Sequence, residues 1–106
     1  MANTPARNKK EAVQRIAAAR ETLRFFGVEG IGVFGSFASG QQTPSSDIDI
    51  LVEFSEQQHS FDNFMELSFF LEELLGRQVE MVTPESLSPH LGPHILREVE
   101  RVSLAA

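Results

Sequence analysis

Two short groups of residues in the first half of the chain are suited to phosphate and metal chemistry. Gly35 and Ser36 follow an apolar run, "GIGVF", and Asp47 and Asp49 begin a second apolar run after a polar loop. If the second run is a strand, its period of two places both carboxylates on one face. Aspartate is a poor strand former, and two like charges close together repel. A divalent cation would remove that repulsion, and Mg²⁺ prefers carboxylate and phosphate oxygens as ligands.

The turn that begins with Gly35 and Ser36 would be the other half of such a site. Backbone N–H groups and one hydroxyl at the end of a strand can bind a phosphate. A phosphate-binding turn beside a carboxylate pair is a self-consistent site for a metal-bound nucleoside triphosphate. The alternative is that Asp47 and Asp49 are strand-edge residues that face water and keep the edge soluble.

Two familiar glycine motifs do not explain the turn. Gly30, Gly32 and Gly35 fit the dinucleotide pattern G-x-G-x-x-G, but a predicted helix precedes them and Pro44 leaves no room for a crossover helix after them. The stretch "GSFASGQQ" approaches the P-loop pattern, but glutamines stand where the lysine and the hydroxyl residue are needed. Neither classical nucleotide-binding loop is therefore expected.

The composition of the 106-residue chain narrows its class. A hydrophobic content of 42% supports a core, and we expect one domain over residues 1–106. The net charge is −6 and no lysine and arginine cluster follows residue 24, which argues against nucleic acid as the main partner. The absence of cysteine excludes disulfides and thiolate metal sites. No apolar run approaches membrane-spanning length, so we expect a cytoplasmic protein without a membrane partner.

Hydrophobic periodicity predicts the elements that must position these residues. Apolar residues at spacings of three and four predict helices, and strict alternation predicts strands. Their order, helix-strand-strand-helix-strand-helix, indicates an α/β (α+β) domain with a small, mixed sheet and helices packed on it. We expect a short helical turn after Gly35 and a helix cap at Ser60 or Asp62, with Gly76 ending that helix. The predicted helices lie at about 8–26, 61–75 and 93–104, and the predicted strands at 28–34, 47–54 and 77–83.

The predicted helix at 61–75 has an unusually wide apolar face. Such a face indicates burial on two sides, against the sheet and against a partner protein, or complete burial within the core. Both interpretations are open from the sequence. The face that we expect to be buried consists of Phe61, Phe64, Leu67, Leu71 and Leu74.

The spacing from Gly35-Ser36 to Asp47-x-Asp49 resembles the signature of the polymerase-beta-like nucleotidyltransferases. Within that superfamily the chain is similar to a minimal nucleotidyltransferase (MNT) domain. The resemblance covers about residues 28–102, through "VFGSFASGQQTPSSDIDILVEF", "GRQVEMVTPESL" and "HILREVERV". It implies the polymerase-beta-like fold with a catalytic core at about 28–83. It also implies an antitoxin that pairs with a HEPN ribonuclease toxin and neutralises it by AMP transfer to a tyrosine, by tight binding, or by both.

The resemblance implies a role for each candidate residue. Gly35 and Ser36 would hold the β- and γ-phosphates of ATP. Asp47 and Asp49 would bind two Mg²⁺ ions, which position the triphosphate and neutralise charge at the α-phosphorus. The third carboxylate of the family falls on Glu80, as a ligand to the second ion or as a base for the attacking hydroxyl. The alternative for Glu80 is an exposed residue on a sheet edge.

The function that the resemblance implies is transfer of AMP from Mg-ATP to a hydroxyl, expected to be a tyrosine, of a cognate HEPN toxin in a hetero-oligomer. Two departures from the family's pattern favour an alternative. Ser39 stands where the family often has arginine, and Glu80 where it more often has aspartate. Both departures suit a catalytically weak or inactive MNT antitoxin that neutralises the toxin by direct binding. Nucleotide transfer to a small molecule or RNA is a third option, which the short, acidic chain disfavours.

Overall fold

Four strands form one mixed sheet in the computed structural model, which describes residues 3–105. They are β1 (Val28–Phe34), β2 (Ile48–Phe54), β3 (Val79–Val82) and β4 (Glu100–Arg101). The order across the sheet is β3-β2-β1-β4, with β1 antiparallel to both β2 and β4, and β2 parallel to β3. The predicted fold class, with a small mixed sheet, is confirmed. Residues 1, 2 and 106, which the predicted domain range includes, lie outside the described residues.

Helices pack on this sheet, and each connection between consecutive strands contains one α-helix. The longest of them agrees with the predicted helix in both bounds and caps. Its N-cap, Ser60, accepts a hydrogen bond from the Asn63 amide at 3.2 Å, and Gly76 ends it with φ +64°. No helix within residues 3–105 is long and apolar enough to cross a bilayer. The helices are α1 (Lys9–Ala18), α2 (Arg20–Phe25), α3 (Gly35–Ser39), α4 (Phe61–Leu75) and α5 (Gly92–Glu98), with 3₁₀ turns at Glu56–Gln58 and Pro84–Ser86.

The main core lies on one face of the sheet. The alternation predicted for β2 is present, because Ile48, Ile50 and Val52 are all fully buried on this face. Side chains from the helices that cover this face complete the core. Since strand residues alternate between faces, this packing directs Asp49 to the opposite face. The helical residues of the core are Ala12, Ile16, Leu23, Phe37, Leu67, Leu71 and Leu75.

The predicted continuous helix at 8–26 is wrong in one respect, because it is interrupted at Ala19. The Ala19 amide donates to the carbonyls of Arg15 (3.2 Å) and Ile16 (3.0 Å), which tightens the last turn of α1 and ends it. Ile16 and Leu23, one in each helix, are both fully buried. The apolar spacing therefore runs through the break, and periodicity does not reveal it.

The predicted helix at 93–104 is also wrong over its second half. Helix α5 ends at Glu98, and Val99 is extended, with φ −64° and ψ 132°. The chain then pairs with β1 as β4, and the Val102 amide donates to the Ile31 carbonyl at 2.9 Å. Valines favour strands, and the open edge of β1 supplies hydrogen-bond partners that a helix would leave unused.

The wide apolar face of α4 is only partly buried. Leu67, Leu71 and Leu75 are fully buried, whereas Phe61 is 76% exposed and Phe69 is 60% exposed. The interpretation of α4 as a completely buried core helix is therefore wrong, and so is the expected burial of Phe61. Phe61 is the first residue of the helix, at the end remote from the buried leucines.

Candidate functional site

The two aspartates lie at the start of β2. Asp47 immediately precedes the strand and is exposed, and Asp49 is its second residue and is half-buried. Ile48 and Ile50, which flank Asp49, are fully buried in the core. Asp49 therefore points away from the core, as the sequence predicted.

The turn at Gly35 contacts Asp49 directly. Phe34 is the register partner of Asp49 across β1 and β2, so the chain reaches Gly35 beside that carboxylate. Gly35 has φ +69°, and a Cβ atom built on it would overlap Oδ2 of Asp49. Only glycine adopts this conformation readily and leaves that space free. The structure thus brings the predicted phosphate-binding turn and one predicted carboxylate together.

Ser36 follows Gly35 in the first turn of α3 and is half-buried. Its carbonyl accepts hydrogen bonds from the Gln41 amide (2.9 Å) and from the Ser39 hydroxyl (3.2 Å). Its own hydroxyl has no hydrogen-bond partner among residues 3–105. The Ser36 hydroxyl is therefore available for a ligand, whereas the Ser39 hydroxyl serves to close the end of α3.

Glu80 lies beside Asp49 on the neighbouring strand. The two residues are register partners in the parallel pair of β2 and β3, so their side chains leave the same face of the sheet. Met81, next to Glu80 in β3, is buried on the core face, while Glu80 itself is exposed. The structure thus places the third predicted acid next to Asp49.

The negative charge of these three acids is uncompensated. Burial raises the pKa of the Asp49 carboxyl, and the negative charges of Glu80 and Asp47 raise that pKa further. None of residues 3–105 donates a hydrogen bond to any of the three carboxylates or forms an ion pair with one. Glu53, further along the same face of β2, differs because Arg101 pairs with it at 2.7 Å. The cluster of Asp47, Asp49 and Glu80 is therefore an acidic site that lacks a protein cation.

The chemistry of these donors fits Mg²⁺. All the groups are oxygens, and two of the carboxylates lie on paired strand positions. Burial first, and then the charges of Glu80 and Asp47, raise the pKa of Asp49, and a bound cation would favour its ionised form. Within residues 3–105, however, no three side chains of His, Cys, Asp or Glu form a group that could hold a metal ion alone. The residues fit an ion that phosphate oxygens help to coordinate, rather than a complete metal cage.

Arg77 is a residue of this region that the sequence did not single out. It is half-buried between α4 and β3, and its guanidinium group binds main-chain carbonyls of the loop that leads to Asp47. These partners are 31 and 33 residues away in sequence and are backbone atoms. No motif or periodicity marks such a contact, so only the structure could reveal it.

Comparisons with known proteins identify the family of the chain. The profile of the nucleotidyltransferase domain matches residues 16–102. Over 91 residues the chain is 43% identical to the protein adenylyltransferase MntA of Thermococcus cleftensis, covering 84% of this chain and 91% of that protein. A solved structure assigned as a minimal nucleotidyltransferase matches with a TM-score of 0.77 and 32% identity, over 89% of this chain and 95% of that one.

A second solved structure, of a toxin–antitoxin with AMP-PNP, matches with a TM-score of 0.68 and 26% identity. It covers 89% of this chain and 73% of that one. The range matched by the profile spans both the turn at Gly35 and the three acids. The predicted relationship is confirmed: the chain belongs to the nucleotidyltransferase domain family and is similar within it to the protein adenylyltransferase MntA.

Proposed function

We propose that this protein is an antitoxin that transfers AMP from Mg-ATP to a hydroxyl of a cognate HEPN ribonuclease toxin, with a tyrosine as the expected acceptor. The observation that carries the proposal is the contact between the Gly35 turn and the Asp49 carboxylate, within an acidic cluster that no cation of residues 3–105 contacts. The likeness to MntA and to a toxin–antitoxin with AMP-PNP supports the same reaction.

Each residue of the site would have a distinct part in this reaction. The amides of the Gly35 turn and the free Ser36 hydroxyl would bind the β- and γ-phosphates. Asp47 and Asp49 would hold Mg²⁺, with two ions expected, which supplies charge neutralisation at the α-phosphorus when bound. Glu80, paired with Asp49 across the strands, would complete the set from the side of β3.

The chemical step is a substitution at the α-phosphorus. The acceptor oxygen forms a new bond to that phosphorus, and the bond from the phosphorus to the oxygen that bridges to the β-phosphate breaks. Pyrophosphate is the leaving group. The Glu80 carboxylate would accept the proton of the attacking hydroxyl, directly or through a water molecule. The Gly35 turn would hold the β- and γ-phosphates in place while the bond to the α-phosphorus breaks.

Mass spectrometry tests the proposal. The purified protein is mixed with ATP, Mg²⁺ and the HEPN protein encoded by the neighbouring gene. We expect the toxin to gain the mass of one or more AMP units, and the double variant Asp47→Asn/Asp49→Asn to add none. An unmodified toxin, under conditions in which the two proteins are shown to bind, would contradict AMP transfer.

Neutralisation by binding alone is the second candidate function, and a specific observation favours it. Phe61 and Phe69 on α4 are largely exposed, which suits a surface that a partner protein covers. The same double variant separates the two candidates in a toxicity assay. Neutralisation should fail if AMP transfer is required, and should persist if binding is sufficient.

A further inference from the structure

The guanidinium group of Arg77 donates hydrogen bonds to two separate segments of the chain. Its Nε donates to the Ala6 carbonyl at 2.6 Å, in the segment that precedes α1. Its Nη1 donates to the carbonyls of Pro44 (2.9 Å) and Ser46 (3.0 Å), in the loop that precedes Asp47. An arginine that makes several bonds to main-chain oxygens fixes the position of that backbone.

These contacts enclose the backbone of Asp47. The carbonyl of Ser46, before Asp47, is held by Arg77, and the amide of Ile48, after Asp47, donates to the Gln78 carbonyl at 3.0 Å. Two consecutive residues, Arg77 and Gln78, therefore anchor the peptide groups on both sides of a predicted metal ligand. Asp47 lies outside the regular ladder of β2, so these anchors set its position.

The same guanidinium group also contacts the phosphate-binding side of the site. It lies over the ring of Phe37, 5.0 Å from the ring centroid. Phe37 is fully buried and directly follows Ser36 in α3. Arg77 thus touches the neighbour of Ser36 on one side and the neighbour of Asp47 on the other, and it links the two halves of the candidate site.

We propose that Arg77 is a positioning residue, which sets the Asp47 carboxylate at a fixed separation from the Gly35-Ser36 turn so that one metal-bound triphosphate can contact both. The role of Arg77 in catalysis rests on the proposed function, AMP transfer from Mg-ATP. The Nε and Nη1 bonds of Arg77 all go to main-chain carbonyls, so it acts through the backbone rather than on the substrate.

The variant Arg77→Lys tests the proposal, because lysine keeps the charge but lacks the planar fork that reaches several carbonyls at once. The matched control is Arg97→Lys on α5, because within the described part of the chain this exposed arginine has a hydrogen bond only to His94, at 3.3 Å. Mg²⁺ is titrated in the presence of AMP-PNP, and the backbone amide resonances of residues 45–49 are followed by NMR. Loss of a residue that orients metal ligands typically weakens metal affinity by about 10–100-fold.

We expect Arg77→Lys to need at least about tenfold more Mg²⁺ for half of the spectral change, and Arg97→Lys to behave as the wild type. The rate of AMP transfer by Arg77→Lys should also need more Mg²⁺ to reach half of its maximum. A general loss of folded protein would not produce this effect, since it lowers the apparent kcat and leaves the Mg²⁺ requirement unchanged. A wild-type Mg²⁺ response in a folded Arg77→Lys variant would overturn the proposal. Because the titration requires no toxin, it still tests Arg77 if the wild-type protein transfers no AMP.

A measurement on the wild-type protein keeps the test independent of how the variant folds. The Nε proton of Arg77 should exchange with solvent slowly, since it is bonded to the Ala6 carbonyl, and its resonance should shift as Mg²⁺ and AMP-PNP bind. The Nε proton of Arg97, which has no hydrogen-bond partner among residues 3–105, is the internal reference. If the Arg77 proton exchanges as fast as that reference, the positioning role is wrong.

Discussion

At the scale of single residues, Gly35 matters for the atom that it lacks. Its φ of +69° lies in the region that L side chains rarely adopt, and the Asp49 carboxylate fills the space where a Cβ atom would be. Gly40, at the other end of α3, has φ +81°, but nothing lies within 4 Å of its Cβ position. A side chain at either position would strain the backbone, but only a side chain at Gly35 would also displace the Asp49 carboxylate.

The variants Gly35→Ala and Gly40→Ala should therefore differ in AMP transfer but have similar free energies of unfolding. Both should lower the free energy of unfolding by about 1–2 kcal/mol, the cost of a left-handed conformation for an L residue. Only Gly35→Ala should abolish AMP transfer, because its methyl group displaces the Asp49 carboxylate from the turn. Urea denaturation and mass spectrometry of the toxin measure the two effects. An equal loss of transfer in Gly40→Ala would show that the contact with Asp49 is not the cause.

The raised pKa of Asp49 predicts a pH-dependent effect of Asp49→Asn on stability. An acid whose pKa is higher in the folded than in the unfolded state opposes folding at a pH above both values. At pH 7 the neutral variant should therefore have a larger free energy of unfolding than the wild type. As the pH falls through the folded-state pKa of Asp49, the wild-type residue becomes protonated and this advantage should disappear. Thermal unfolding of both proteins across that pH range, without Mg²⁺, measures the difference, and a variant less stable at pH 7 would contradict the prediction.

At the scale of elements, the sequence predicts a helix or strand correctly where the local hydrophobic pattern is sufficient to determine it. Ile48, Ile50 and Val52 recur at every second position, so the face that carries Asp49 follows from the sequence, although Leu51 on that face is buried as well. The end of α5 does not follow in this way, because the spacing of Val99 and Val102 suits a helix as well as a strand. The free edge of β1, some seventy residues earlier in the chain, decides between them. The positive φ of Gly35 likewise depends on a contact that no local pattern encodes.

The close approach of β4 to β1 makes Gly32 a sensitive position. A Cβ atom on Gly32 would lie 2.5 Å from Cγ2 of Val99 and 2.9 Å from the Glu100 carbonyl oxygen. The substitution Gly32→Val should therefore force β4 from the sheet edge and lower the free energy of unfolding by about 1–3 kcal/mol. Hydrogen exchange should show faster exchange of the Val102 amide, while amides shared by β2 and β3 remain protected. Unchanged protection of Val102 would mean that the edge adapts without losing its pairing.

At the scale of the whole molecule, the acidic site adds to a chain that is already negative. The net charge is −6, and the three site acids have no cationic partner among residues 3–105. Two effects of Mg²⁺ on stability must then be distinguished. Any salt screens the general repulsion of a charged protein, whereas an ion bound at the site stabilises only the folded state.

In the presence of AMP-PNP, Mg²⁺ should raise the midpoint of thermal unfolding beyond the effect of sodium chloride at the same ionic strength. At a concentration ten times its Kd, a ligand that binds only the folded state adds about 1.4 kcal/mol. For a domain of this size that corresponds to a shift of about 6–11 °C. The variant Asp49→Asn should lose this specific increase and keep the response to sodium chloride, because it removes one ligand and leaves the remaining surface charge almost unchanged. If Mg²⁺ and sodium chloride stabilise the wild type equally in the presence of AMP-PNP, the ion acts only by screening, and the Asp47, Asp49 and Glu80 cluster does not bind it.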